Sequence, residues 1–228
     1  MGKLRFLLTL WMAKLSIPAL KITRHNGTDF PGSLAVKLCP DFLKYIGKPA
    51  HIVAVTGTNG KTTTTSLTYD IMKRHAKKAL LVGNIEIPYT GYALESDKDS
   101  VTVAEISSFQ LETMVTFKPH VTAILNITPD HLDRHKTLEN YIAIKESITK
   151  NQDENDFCVL NYNDPVLREF GKTPRCKVIF FSSSVILLTP FRNFELESDT
   201  GFPVSAVLKL TFSPIPVYSY NSRDAVTR

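Results

Sequence analysis

The stretch VAVTGTNGKTTTT, Val53 to Thr65, sets two glycines, a lysine and a row of hydroxyls directly after a short β-branched run. A glycine turn that opens into a helix presents backbone N–H groups to phosphate oxygens. The spacing departs from the common Gly-x-x-x-x-Gly-Lys-Ser/Thr pattern, because Val55 stands where its first glycine would fall. Gly57 to Gly60, with Thr58 and Asn59 between them, therefore make a tighter turn. Lys61 is placed for the β- and γ-phosphates, and Thr62, followed by Thr63, offers a hydroxyl to Mg²⁺. A plain strand-to-helix turn has no need of Gly-Lys-Thr-Thr at the start of its helix.

Three further residues stand where a partner of such a loop would be sought. Glu105 interrupts the end of the apolar run VTVAEIS, either as a satisfied carboxylate at a strand terminus or as a Mg²⁺ ligand. The run VTAILNI leads into TPDHLDRH, whose paired histidines suggest zinc, but His-Glu-x-x-His is absent and no third ligand is evident. His131, nearest the strand end, serves better beside a second Mg²⁺. In TLENYIAIKESITK, Leu138, Tyr141, Ile142 and Ile148 mark the buried stripe of a helix, and Lys145 falls on that same stripe. An inward lysine either snorkels past the core edge or has a role in a site, as a cation or as an anionic carbamate.

These residues need a scaffold that gathers strand ends. HIVAVT, KALLVG, VTVAEIS, VTAILNI, FCVL and KVIFF are apolar runs of strand length, and Lys61 to His75, SSFQLETMVT and TLENYIAIKESITK read as helices. Near-continuous apolar strands alternating with helices predict an α/β fold, a mostly parallel sheet flanked by helices on both faces. Ligands of such sheets bind at the carboxyl ends of the strands. Residues 49–183 form this domain. Residues 1–48 form an N-terminal helix and a lead-in segment, and residues 184–228, rich in serine and proline, read as irregular or disordered.

Composition adds bounds. At 228 residues, 43% hydrophobic and 21% charged, the chain has the make-up of a globular protein. The formal charge of +5 is not gathered into any run of like residues, which fits phosphate-rich ligands better than nucleic acid. Three scattered cysteines, Cys39, Cys158 and Cys176, indicate neither a disulfide framework nor a zinc site, and a reducing, cytoplasmic setting is the default. In MGKLRFLLTLWMAKL the residues Leu4, Leu8, Trp11 and Leu15 fall at helical spacing, which predicts an amphipathic helix packed on the domain. Export or membrane attachment is the alternative reading; stable insertion is not expected of so short an apolar run.

The motifs TGTNGKTTTT, GNIEIPY, AEISSFQLET, LNITPDHLDRH, NYIAIKESI and LNYNDPV resemble, in order and spacing, the central ATP-binding domain of the Mur ligases, above all those that add D-glutamate. The likeness covers roughly residues 51–183. It implies an ATP-dependent amide ligase of peptidoglycan precursor synthesis. In that reaction a carboxylate of UDP-N-acetylmuramoyl-L-alanine attacks the γ-phosphate, and the amine of D-glutamate displaces phosphate from the acyl phosphate. The resemblance implies that Lys61 and Thr62 serve ATP and Mg²⁺, that Glu105 and His131 bind magnesium, and that Lys145 is carbamylated. Asn84 and Ser107 would touch the UDP-muramoyl substrate or the metal shell.

Two segments resemble other things. LRFLLTLWMAKL and RHNGTDFPGSLAVK look like the start of the lipid II isoglutaminyl synthase subunit MurT, which implies an alternative glutamine-amidating role with a glutaminase partner. Residues 184–228 show neither the asparagine helix nor the arginine-led hinge of the family. That leaves a third reading, a truncated, non-catalytic ATP-binding fragment, and the expectation that this chain alone is inactive.

Overall fold

The computed structural model describes residues 2–22, 29–85 and 87–182, so the tail read above as irregular lies outside the described residues. Six strands, β1 (His51–Thr56), β2 (Lys78–Gly83), β3 (Ser100–Glu105), β4 (Val121–Ile124), β5 (Phe157–Asn161) and β6 (Lys177–Phe181), form one sheet in the order β2-β3-β1-β4-β5-β6. All five pairings are parallel. The apolar runs thus become strands where the sequence places them, although VTVAEIS and VTAILNI each release their last residues into loops.

Alternation along the strands feeds two cores. Val53, Val55, Val101, Val103, Val121, Ala123, Phe157 and Val159 pack on Ile71 and Met72 of α3 (Lys61–His75). Ala54, Ile124, Cys158 and Leu160 face the other way. They meet Leu111 of α4 (Ser108–Glu112), Tyr141 of α6 (Leu138–Glu146), Ile148, and Leu167 of α7 (Pro165–Phe170). Burying each large aliphatic side chain here stabilises the fold by about 1.5–3 kcal/mol, which is why a continuous apolar run is retained on a two-sided sheet.

Local signals set the helix limits. Ser107 and Gln110 form a reciprocal capping box that starts α4, and Thr137 and Asp164 cap α6 and α7. SSFQLETMVT yields only the five residues of α4. TLENYIAIKESITK changes to a 3-10 turn at Ser147–Thr149, where the hydroxyl of Ser147 bonds back to Ile144 O at 2.7 Å. A short helix, α5 (Leu132–His135), carries the second half of the histidine motif.

Before the sheet, α1 (Gly2–Ile22) packs on α2 (Asp29–Leu38) and on the 3-10 turn Phe42–Tyr45. The expected face is not the one that packs. Phe6, Leu10 and Ala13 are buried, while Leu4, Leu8, Trp11 and Leu15 lie exposed. Apolar residues run around most of α1, so periodicity alone does not select a face. The aromatic contacts of Phe6 with Phe42 and Tyr45, at 4.9 and 5.2 Å between ring centroids, select it instead.

Candidate functional site

β1 delivers the glycine turn to the carboxyl edge of the sheet, with β3, ending at Glu105, on one side and β4, leading to Asn126, on the other. Gly57 takes φ 145° and Gly60 φ 78°, conformations that side chains disfavour. Asn126 fastens the turn from across the cleft. Its backbone carbonyl accepts from Thr58 N at 2.9 Å, its Oδ1 accepts from Asn59 N at 2.8 Å, and its Nδ2 donates to Asn59 O at 3.1 Å. Thr58 Oγ1 meets Thr128 N, Thr128 O and the hydroxyl of Tyr141 at 3.0 to 3.1 Å. These bonds fasten the turn to the loop beyond β4.

Helix α3 begins at this turn without a side-chain cap, unlike α4, α6 and α7. Its first-turn amides lack intrahelical partners, so the positive end of the helix dipole faces the turn. Thr63 stands exposed in that first turn. Lys61 Nζ donates to Thr58 O at 2.8 Å and lies across the mouth. Thr62 Oγ1 donates to Glu105 Oε2 at 2.8 Å, and Asn84 Nδ2 donates to Glu105 Oε1 at 3.1 Å. Glu105, 2% exposed, is a buried carboxylate held by two neutral donors. A carboxylate and a hydroxyl at the foot of a glycine turn form a hard-oxygen donor set that fits Mg²⁺.

Lys145 also reaches the turn. Its Nζ donates to Gly57 O at 3.0 Å and to Thr56 Oγ1 at 3.1 Å, and lies 5.4 Å from the centre of the Tyr141 ring. The residue is 1% exposed, so the amine does not snorkel to solvent. Burial, then the nearby charge of Lys61, lowers its pKa from 10.5 to about 7, against the opposing pull of Asp130 and Glu105.

His131 and Ser107 are placed differently. His131 caps α5 in the left-handed region, φ 51°, with Nε2 3.5 Å from Asp130 Oδ2 and its ring 4.9 Å from that of Phe109. Among the described residues no three His, Cys, Asp or Glu side chains converge as a metal site. Ser107 spends its hydroxyl on the capping box at the start of α4, just past Glu105.

Thr56, Asn126 and Tyr141 are participants that residue-type reasoning passes over. Asn126 interrupts the end of the apolar run VTAILNI, as Glu105 interrupts VTVAEIS, where the strand-end rule would have found it. Thr56 and Tyr141 give no such signal, since each reads as ordinary core. A second buried group, missed likewise, links α4 to α5: His135 Nε2 meets Ser108 Oγ at 3.0 Å, and Nδ1 lies 3.1 Å from Glu112 Oε1, too poorly aligned for a hydrogen bond.

Comparison with known proteins identifies relatives of the chain as a whole. The chain is 54% identical over 141 residues to the UDP-N-acetylmuramoylalanine–D-glutamate ligase of Lachnoclostridium phytofermentans, covering 62% of this chain and 31% of that protein. With the ligase of the same name from Alkaliphilus oremlandii it shares 47% over 173 residues, 76% of this chain and 37% of that one. The chain thus spans about a third of the length of these relatives. Among solved structures, MurF ligase from Thermotoga maritima in complex with ADP superposes with a TM-score of 0.51 at 24% identity, over 69% of this chain and 37% of that one, a likeness of fold. Residues 55–199 match the Mur ligase middle domain, and the chain belongs to the Mur ligase family.

Proposed function

We propose that this chain provides the ATP- and Mg²⁺-binding part of an amide ligase that joins D-glutamate to UDP-N-acetylmuramoyl-L-alanine. The observation that carries this reading is the convergence of Lys61, Thr62, Glu105 and Lys145 on one uncapped glycine turn. The names of the relatives supply the substrates. They favour this reaction over the glutamine-amidating alternative and over a non-catalytic fragment.

In the bound state the amides at the start of α3 and the Lys61 ammonium hold the β- and γ-phosphates. Lys61 would give up Thr58 O for a phosphate oxygen, a charge-assisted bond replacing a neutral one. Thr62 and Glu105 would hold Mg²⁺, with Asn84 orienting the carboxylate. The ion supplies charge neutralisation on the transferring phosphoryl group. His131, on the loop beyond β4, is assigned to a second ion and Ser107 to the substrate side; both assignments rest on motif position.

Lys145 is poised for carbamylation. With its pKa near 7, a large fraction of the amine is neutral at physiological pH and can attack CO₂. The N–C bond forms, one proton leaves to solvent, and the product is an anion suited to bridging cations.

Calorimetry of the chain with ATP and Mg²⁺ tests the reading. Binding is expected, and Lys61→Ala should weaken it at least about tenfold. Absence of binding would overturn it. ADP formation that requires both UDP-N-acetylmuramoyl-L-alanine and D-glutamate identifies the complete reaction. ATP binding without turnover would limit this span to the nucleotide half.

A further inference from the structure

We propose that α1 seats this protein on an anionic membrane surface, lying in the interface rather than crossing the bilayer. One face of the helix is spent on the domain, with Phe6, Leu10 and Ala13 at most 3% exposed. The opposite face carries Leu4, Leu8, Trp11 and Leu15, each 60–66% exposed, with Met12 beside them. These residues follow one another turn by turn, a straight stripe about 16 Å long. Apolar surface arranged in this way marks an interaction face.

The charge pattern identifies the occupant. No acidic residue precedes Asp29, whereas Lys3, Arg5, Lys14, Lys21 and Arg24 are basic. The remaining 200 residues hold 22 charges of each sign, so the first 28 carry the whole formal +5 of the chain. No run of like residues reveals this; only the balance along the chain does. At helical spacing Lys3 and Lys14 border one side of the apolar stripe and Arg5 the other. A tryptophan-bearing stripe flanked by cations and free of acids suits a lipid headgroup layer, with the ring at the interface and the lysine stems reaching phosphates. A second copy laid on the same face would bring like charges together. No described helix is long and apolar enough to cross a membrane, which leaves the in-plane arrangement.

Trp11 is the only tryptophan, so the emission of the full chain reports directly on this stripe. With vesicles of mixed phosphatidylcholine and phosphatidylglycerol, a blue shift and co-sedimentation are expected, at least about tenfold weaker with phosphatidylcholine alone and weakened by salt. Leu8→Glu, on the exposed face, should abolish co-sedimentation without changing ATP affinity. The double variant Lys3→Gln/Lys14→Gln should weaken vesicle binding by about tenfold or more. Three results would overturn the proposal: Trp11 emission already blue in the free chain and unmoved by vesicles, equal binding to both vesicle types, or vesicle binding indifferent to Leu8→Glu. A dimer in light scattering that Leu8→Glu disperses, with no vesicle binding, would put a second copy in place of lipid.

Discussion

Lys145 Nζ lies 3.0 Å from the carbonyl oxygen of Gly57, so the amine of α6 is bonded to the first residue of the glycine turn. The contact spans 88 residues of sequence and crosses from the helix layer to the sheet edge. It costs stability as well as supplying structure, because the amine is removed from water and stands near the charge of Lys61.

That cost should be visible in the pH dependence of unfolding. The folded amine titrates near 7 and the unfolded one near 10.5, so between these values the unfolded chain binds more protons. Stability contributed through Lys145 therefore rises with pH across that window. In CO₂-free buffer Lys145→Met should exceed the parent in urea stability at pH 6–7 by about 1–4 kcal/mol, and the gap should close toward pH 10. Parallel stability curves for the two chains would contradict the assignment.

Bicarbonate should act on the same residue. If the neutral amine takes up CO₂, ¹³C-labelled bicarbonate will give a carbamate resonance that Lys145→Ala lacks and that grows as pH rises above 7. Where the chain forms ADP with both proposed substrates, loss of that turnover in Lys145→Ala should be relieved by short carboxylates, which can occupy the same space as anions. Failure of both the resonance and the rescue would leave Lys145 as an unmodified amine.

Glu105 should govern magnesium more than nucleotide. Glu105→Gln keeps an acceptor for Thr62 and space for Asn84, so the fold should hold. The Mg²⁺ dependence of ATP binding should shift to about 10–100-fold higher metal concentration. Thr62→Val should move it in the same direction by less. An unchanged metal dependence in Glu105→Gln would remove the carboxylate from the site.

These residues show what a sequence exposes. Six strands were legible because two-sided burial demands continuous apolar text, Lys61 and Thr62 because they follow a glycine turn at a helix start, and Glu105 because a polar residue at a strand end breaks that text. Lys145 was legible as a charge on an apolar stripe. The packed face of α1 was not, since Leu4 and Phe6 are equally apolar and only the ring contacts with Phe42 and Tyr45 choose between their faces. Nor was the Asn126 bracket, which depends on two loops from different strands meeting. The placement of His131 also stays outside any sequence signal, because it is set by the left-handed turn that starts α5.

The two glycines of the turn should respond unequally to a methyl group. At Gly60 a Cβ would find its nearest neighbour, Leu125 Cδ1, at 3.7 Å, so only the backbone conformation at φ 78° resists; Gly60→Ala should cost about 1 kcal/mol. At Gly57 the conformation is worse, φ 145°, and the Cβ would meet Leu125 Cβ at 3.1 Å and the backbone nitrogens of Leu125 and Asn126 at 3.2 and 3.3 Å. Relief requires the β4 loop to move, and with it the Asn126 side chain that brackets Asn59. Gly57→Ala should therefore cost about 2–4 kcal/mol in urea unfolding and weaken ATP binding more than Gly60→Ala does. The reverse order would mean that the close approach of the turn to β4 is not what shapes the phosphate site.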